Sequence, residues 1–141
     1  MNSKNNKSLE QLASDMAELD VCVMTTEDGN GTMHSRPMSN NGNVGKDVTT
    51  FFFSNGETTK VRDLQATPRV SLIYQSKDTF ITLYGKGEII DNKEEFEKYW
   101  SDKLNAWFKD GIQTHGLKLI RVTGKHIQYW EGRESGNIDV T

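Results

Sequence analysis

Residues 20–54, DVCVMTTEDGNGTMHSRPMSNNGNVGKDVTTFFFS, contain three β-rich runs separated by EDGNG and NNGNVGKD. Gly, Asn and Asp in those separators supply the positive φ angles that hairpin loops need, so the segment reads as an antiparallel meander. The same pattern returns further along. RVSLIYQ and TFITLYGKGEIID are two more runs joined by SKD, and LKLIRVT and HIQYW follow on either side of GK, which reads as a short turn.

Three amphipathic segments interrupt these strands. SLEQLASDMAEL opens with Ser8 and Gln11 at capping-box spacing and carries Leu9, Leu12, Ala13, Met16 and Leu19 at helical intervals. In SNGETTKVRDLQATP, Ser54 and Glu57 form another S-x-x-E box, Val61 and Leu64 lie one turn apart, and Pro68 marks the stop. NKEEFEKYWSDKLNAWFKDG places Phe96, Tyr99, Trp100, Leu104, Trp107 and Phe108 on one stripe, with Gly111 beyond its end, and predicts one continuous third helix with a core-facing aromatic stripe. Hairpin-linked strands with inserted helices favour a mainly β antiparallel barrel with peripheral helices over a doubly wound sheet.

At 141 residues the chain fits a single domain, 1–141, with residues 1–7 expected as a disordered tail. A hydrophobic content of 34% with 26% charged residues is polar for a compact monomer, a composition that suits burial of further surface in an oligomer. The net charge of −3 and the lack of a basic run argue against a nucleic-acid binder. Apolar stretches such as FITLY fall far short of the roughly 20 residues of a membrane span, and MNSKNNKSLEQ has no apolar signal core, so a cytoplasmic protein with no membrane partner is expected. The lone Cys22 excludes an internal disulfide and reads as a core residue.

Pro37, within MHSRPMS, stands out because proline cannot donate to a sheet ladder. It belongs on an edge, at a bulge, or where the backbone faces something other than a strand. Close by in the meander, Arg36, the end of FFFS and the start of the second helix bring together a cation, hydroxyls and free helix amides, a combination suited to a phosphate monoester. Lys60 and Arg36 would neutralise its charge, Ser54, Thr58 and Thr59 would donate hydroxyl hydrogen bonds, and the phenylalanines would form an apolar wall. Taken singly, each of these residues has a plainer role as a surface charge, an N-cap or a buried strand residue. Their joint placement carries the signal. His34, His115 and His126 lack zinc-ligand spacing, no metal site is expected, and no Ser-His-Asp arrangement or catalytic acid or base can be singled out.

The runs VCVMTTEDGNGTMHSRPMS, FFFSNGETTKVRDLQATPRVSLIYQ, TFITLYGKGEIIDNKEEFEKYWSDKLNAWFKDG and LKLIRVTGKHIQYWEG, spanning roughly residues 8–131, resemble the general stress protein branch of the pyridoxamine 5'-phosphate oxidase-like flavin-binding split barrels. The most specific pieces are SRPM, the helix start at Lys60 followed by PRVSL, and the segment Trp100 to Gly111. The resemblance implies a six-stranded antiparallel split β-barrel with about three helices, a homodimer, and FMN bound at the subunit interface, with FAD left open. It further implies that Arg36 and Lys60 hold the flavin phosphate with Ser54 and Thr59, and that Ser35, Pro37 and Met38 border the ring. Phe53 would line the pocket, and Trp107 and Trp130 would wall it from the partner subunit.

The resemblance implies a flavin-dependent oxidoreductase acting on a small molecule. The alternatives are a noncatalytic flavin-binding or flavin-sequestering stress protein and, ranked lower, a haem- or deazaflavin-binding barrel, for which His34 is the only histidine near the groove. No Arg-x-His-like substrate segment follows Trp130, so vitamin B6 oxidation is not implied.

Overall fold

The structure, a computed structural model, describes residues 7–40 and 42–140. The elements run α1 (Leu9–Ala17), β1 (Val21–Glu27), β2 (Met33–Ser39), β3 (Thr50–Asn55), α2 (Thr59–Ala66), β4 (Arg69–Gln75), β5 (Thr79–Ile90), α3 (Lys93–Tyr99), two 3-10 turns (Asp102–Ala106 and Gly111–Gln113), β6 (Leu117–Glu131) and β7 (Glu134–Asp139). Every strand pairing is antiparallel, in the order β2-β1-β4-β5-β6-β3, with β7 added against β6. This is a split barrel, as the resemblance implies, and it is mostly β with peripheral helices, as the hairpin-linked strands predict. It has one strand more than the six implied, because the C-terminal ESGNID pairs with β6.

Alternation fills the barrel. Cys22, Met24 and Thr26 of β1 and Val70, Leu72 and Tyr74 of β4 point inward, while their neighbours face out. With Leu12, Met16, Phe52, Ile120 and Ile127, all of these but the polar Thr26 form the main core. β3 is buried on both faces, which accounts for its unbroken phenylalanines: Phe52 enters the barrel, while Phe51 and Phe53 pack outward against Phe96, Leu104, Leu117 and Leu119.

Three local readings change. The meander stops after β2: NNGNVGKD is no hairpin loop, because β3 leaves β2 to pair with β6 and the two strands stand at opposite ends of the order. GK is no turn: β6 runs through it for 15 residues, and the ladder with β5 steps from Tyr84↔His126 to Gly85↔Gly124, leaving Lys125 as the extra residue of a bulge. Inward positions are even before the bulge, at Ile120 and Val122, and odd after it, at Ile127 and Tyr129. That break in alternation is what the sequence shows, and a bulge satisfies it without ending the strand because β5 continues alongside. The third helix, expected from residue 92 up to Gly111, ends at Tyr99. Trp100 turns extended, with φ −71° and ψ 139°, and the chain resumes as a 3-10 turn. The break lets Trp100 meet Phe53 edge-on at 4.9 Å while Phe96 and Leu104 both reach the β3–β6 face.

The N-terminal capping box forms as read: the Ser8 hydroxyl accepts from the Gln11 amide at 3.1 Å and the Gln11 side chain accepts from the Ser8 amide at 2.8 Å. Of the expected tail, residues 1–6 lie outside the described residues, and the Lys7 ammonium bridges Asp15 at 2.6 Å and Glu131 at 2.8 Å. Among the described residues no helix is long and apolar enough to cross a membrane.

Candidate functional site

β2 and β3 stand at the two ends of the strand order. Residues from both edges line one cleft of about 500 Å³, within the range usual for small-molecule sites. Its apolar walls are Val21, Pro37, Met38 and Phe53, closed by Leu104, Trp107 and Phe108 from the 3-10 segment. Its polar end is built by Ser39, Ser54, Asn55, Thr58 and Lys60. Pro37 therefore sits on an edge strand, paired on one side only with Val23 of β1, where its missing N–H costs no ladder bond to a further strand. A larger hollow of about 800 Å³, beside Pro68 and Gly87, contains none of the expected site residues.

The polar end is the start of α2. The helix begins one turn later than the Ser54–Glu57 spacing predicts: Thr58 is the N-cap and Ser54 remains in β3. The reason is a tight turn in which the Asn55 side chain accepts from the Glu57 amide at 2.8 Å. No side chain caps the first-turn amides. The hydroxyls of Ser54 and Thr58 lie 3.2 Å apart, and both donate to the Asn55 carbonyl, at 3.1 and 3.0 Å.

Lys60 is half-buried, and no hydrogen bond or ion pair to it occurs among the described residues. Burial and the nearby charge of Arg36 push its ammonium below the usual lysine value. Arg36 lies behind the cleft. Its Nη1 donates to the Met24 carbonyl at 3.2 Å and to the Thr26 hydroxyl at 2.9 Å, and its Nη2 lies 3.9 Å from the Asp63 carboxylate. Burial lowers the Arg36 pKa, partly offset by Asp63.

The fold thus gathers Pro37, Met38, Phe53, Ser54, Lys60 and Trp107 at one cleft, with Arg36 adjoining Lys60. Trp107, expected across from a partner, lines the cleft of its own chain. Ser35 lies apart on the outer sheet face, its hydroxyl 2.7 Å from that of Thr25. Thr59 is exposed beside Arg62, and Trp130 faces outward on β6 opposite Phe80. Leu104 and Phe108, read as core, are also cleft walls. Thr26 and Asp63 went unread as site residues, although Asp63 follows Lys60 by three positions on the buried face of α2 with Val61 and Leu64.

The family model described as Pyridoxamine 5'-phosphate oxidase like matches residues 7–141. The chain belongs to the pyridoxamine 5'-phosphate oxidase-like family. Solved structures agree on the fold. A protein of Clostridium acetobutylicum related to general stress protein 26 of B. subtilis is 16% identical with a TM-score of 0.78, covering 94% of each chain. A heme binding protein from Mycobacterium smegmatis is 14% identical with a TM-score of 0.75, over 96% of this chain and 59% of that one. A pyridoxamine 5'-phosphate oxidase-related, FMN binding protein from Nostoc punctiforme is 11% identical with a TM-score of 0.65, over 92% and 84%. No curated protein sequence matches this member of the family.

Proposed function

We propose that the chain is a flavin-binding split barrel that holds FMN in the cleft between β2 and β3 and works as a flavin-dependent oxidoreductase on a small molecule. The observation that carries this reading is the half-buried Lys60, with no hydrogen bond or ion pair among the described residues, at the uncapped start of α2 and opening onto apolar walls. Lys60, the first-turn amides and, once turned from the Asn55 carbonyl, the hydroxyls of Ser54 and Thr58 would receive the phosphate, with Arg36 behind them. Pro37, Met38, Phe53 and Trp107 are of a shape and polarity to pack a flat aromatic ring. The bound flavin would supply the electron chemistry, and this chain would bind it, orient it and exclude water from one of its faces. The FMN-binding relative from Nostoc supports the assignment on the same fold.

The heme binding relative makes haem the second ligand to test. Haem iron is usually held by His, Cys, Met or Tyr. Of these, among the described residues, only Met38 lines the cleft, while His34 is engaged by Asp63 at 2.9 Å. The cleft chemistry favours FMN.

A homodimer belongs to the same proposal. The outward face of β1, β2, β4, β5 and β6 exposes Val21, Val23, Met33, Phe80, Tyr84 and Trp130, each at least 38% accessible. So apolar a sheet face calls for a covering partner. Val21 and Pro37 belong to both that face and the cleft, so a second copy laid on the face would also wall the flavin site.

An absorption spectrum of the purified protein, repeated after incubation with FMN and desalting, tests the reading. Retained flavin bands that bleach with a nicotinamide donor at a rate above free FMN are expected. Retention without donor-dependent bleaching would leave a noncatalytic flavin carrier, and no retention would remove the site.

A further inference from the structure

One buried carboxylate has no part in the phosphate site as described so far. Asp63 is 3% exposed, and its Oδ2 accepts from the Thr26 hydroxyl at 2.7 Å and lies 2.9 Å from His34 Nδ1. Burial pushes its carboxyl up, but the hydrogen bonds from His34 and Thr26 and the charges of His34 and Arg36 outweigh that and hold it below the usual carboxylate value. It therefore stays an ionised acceptor at neutral pH.

A hydroxyl has one proton. At Thr26 that proton goes to Asp63, which leaves only lone pairs on Thr26 Oγ1 to face Arg36. Arg36 Nη1 takes up one of them at 2.9 Å and places its other hydrogen on the Met24 carbonyl at 3.2 Å. One side of the guanidinium is thus fixed to β1. Nε and Nη2 make no hydrogen bond among the described residues, and Nη2 stays 3.9 Å from Asp63, beyond hydrogen-bond reach.

We propose that Asp63 is a positioning residue that acts through the Thr26 hydroxyl to set the orientation of Arg36, keeping Nε and Nη2 available to a phosphate monoester held beside Lys60. The role rests on the flavin-phosphate reading and deepens it, because it makes the preference for a phosphorylated ligand depend on a proton direction two residues removed from that ligand. A carboxylate suits the task because it cannot donate. An amide in its place can turn a hydrogen toward Thr26 and so turn the hydroxyl proton against Arg36.

The test measures FMN and riboflavin affinity, by quenching of flavin fluorescence, in wild type and in Asp63→Asn, Thr26→Val, Thr26→Ser and Arg36→Ala. Asp63→Asn and Thr26→Val are expected to weaken FMN about tenfold, with riboflavin unchanged. Thr26→Ser, which keeps the hydroxyl, restores FMN binding. In the Arg36→Ala background neither Asp63→Asn nor Thr26→Val has a further effect, since both act through that guanidinium.

Equal losses for both ligands, additivity with Arg36→Ala, or tighter FMN binding in Asp63→Asn would overturn the positioning role, the last by showing that Asp63 acts only as a like charge toward phosphate. Wild type that binds FMN no better than riboflavin removes the phosphate reading itself. Wild type that prefers FMN, with variants that keep the full preference, overturns the role of Asp63 alone.

Discussion

Lys60 and Arg36 reach the same end of the barrel from α2 and β2, close enough that the charge of Arg36 works against that of Lys60. Two half-buried cations this close together suit an anion. Lys60→Ala should therefore weaken FMN by roughly ten- to a hundredfold, matching about 1.5–3 kcal/mol for a charge-assisted bond, and leave riboflavin nearly unaffected. With its pKa lowered from 10.5, Lys60 loses its proton before an ordinary lysine does. The advantage of FMN over riboflavin should fall as the pH rises toward the ordinary lysine range, and should do so less in Lys60→Arg. Titrating both ligands against pH checks this.

Asp63 makes a signed prediction about stability. Its folded pKa lies below its value of 3.8 in an unperturbed chain, so it contributes stability that is complete above that value and is lost as the pH falls through the folded pKa. The urea midpoint of wild type should exceed that of Asp63→Asn at pH 7, and the difference should shrink below pH 4. A constant difference across that window would assign the loss to packing instead.

Cys22 lies inside the barrel at 1% exposure, and burial, opposed by a weaker hydrogen bond with Tyr74, pushes its thiol up to about 12. The native protein should not react with a disulfide reagent at pH 8, because neither thiolate nor access is present. One equivalent should react in denaturant. Prompt labelling of the native state would mean that β1 opens readily.

Gly85 and Gly87 share β5 and should differ sharply when changed to alanine. A Cβ on Gly85 runs into the carbonyl oxygen of Thr123 across the bulge, and backbone cannot swing aside. A Cβ on Gly87 meets the Leu64 methyls, the nearest at 2.7 Å, at the end of a flexible side chain. Gly85→Ala should cost about 3 kcal/mol and Gly87→Ala about 1 kcal/mol, read from denaturant midpoints.

The outer face can be tested independently of flavin. Trp130 pairs with Phe80 across β5 and β6, and both are more than 40% exposed. Trp130→Glu should shift the protein toward monomer in analytical ultracentrifugation while its far-ultraviolet circular dichroism stays that of the folded wild type, and its melting temperature should fall only by the stabilisation that association supplies. An unchanged mass would move the interface elsewhere.

By itself, the sequence determined the strand runs of β1 to β5, the hairpin loops after β1 and β4, the capped start of α1 and the residue types of a phosphate end. Those features are local: turn chemistry, alternation and capping act within a few residues, as at Ser8 and Gln11. Only the tertiary structure decided how the gaps in those patterns resolve. The parity break at GK became a bulge because β5 runs on beside it, and the aromatic stripe broke at Trp100 because Phe53 offered a surface there. Long-range placement also decided which residues share the cleft. The open edges of β2 and β3 brought Pro37 to Phe53 and Lys60, carried Trp130 to another face, and put Asp63 against Thr26, a contact between residues 37 positions apart that no short pattern encodes.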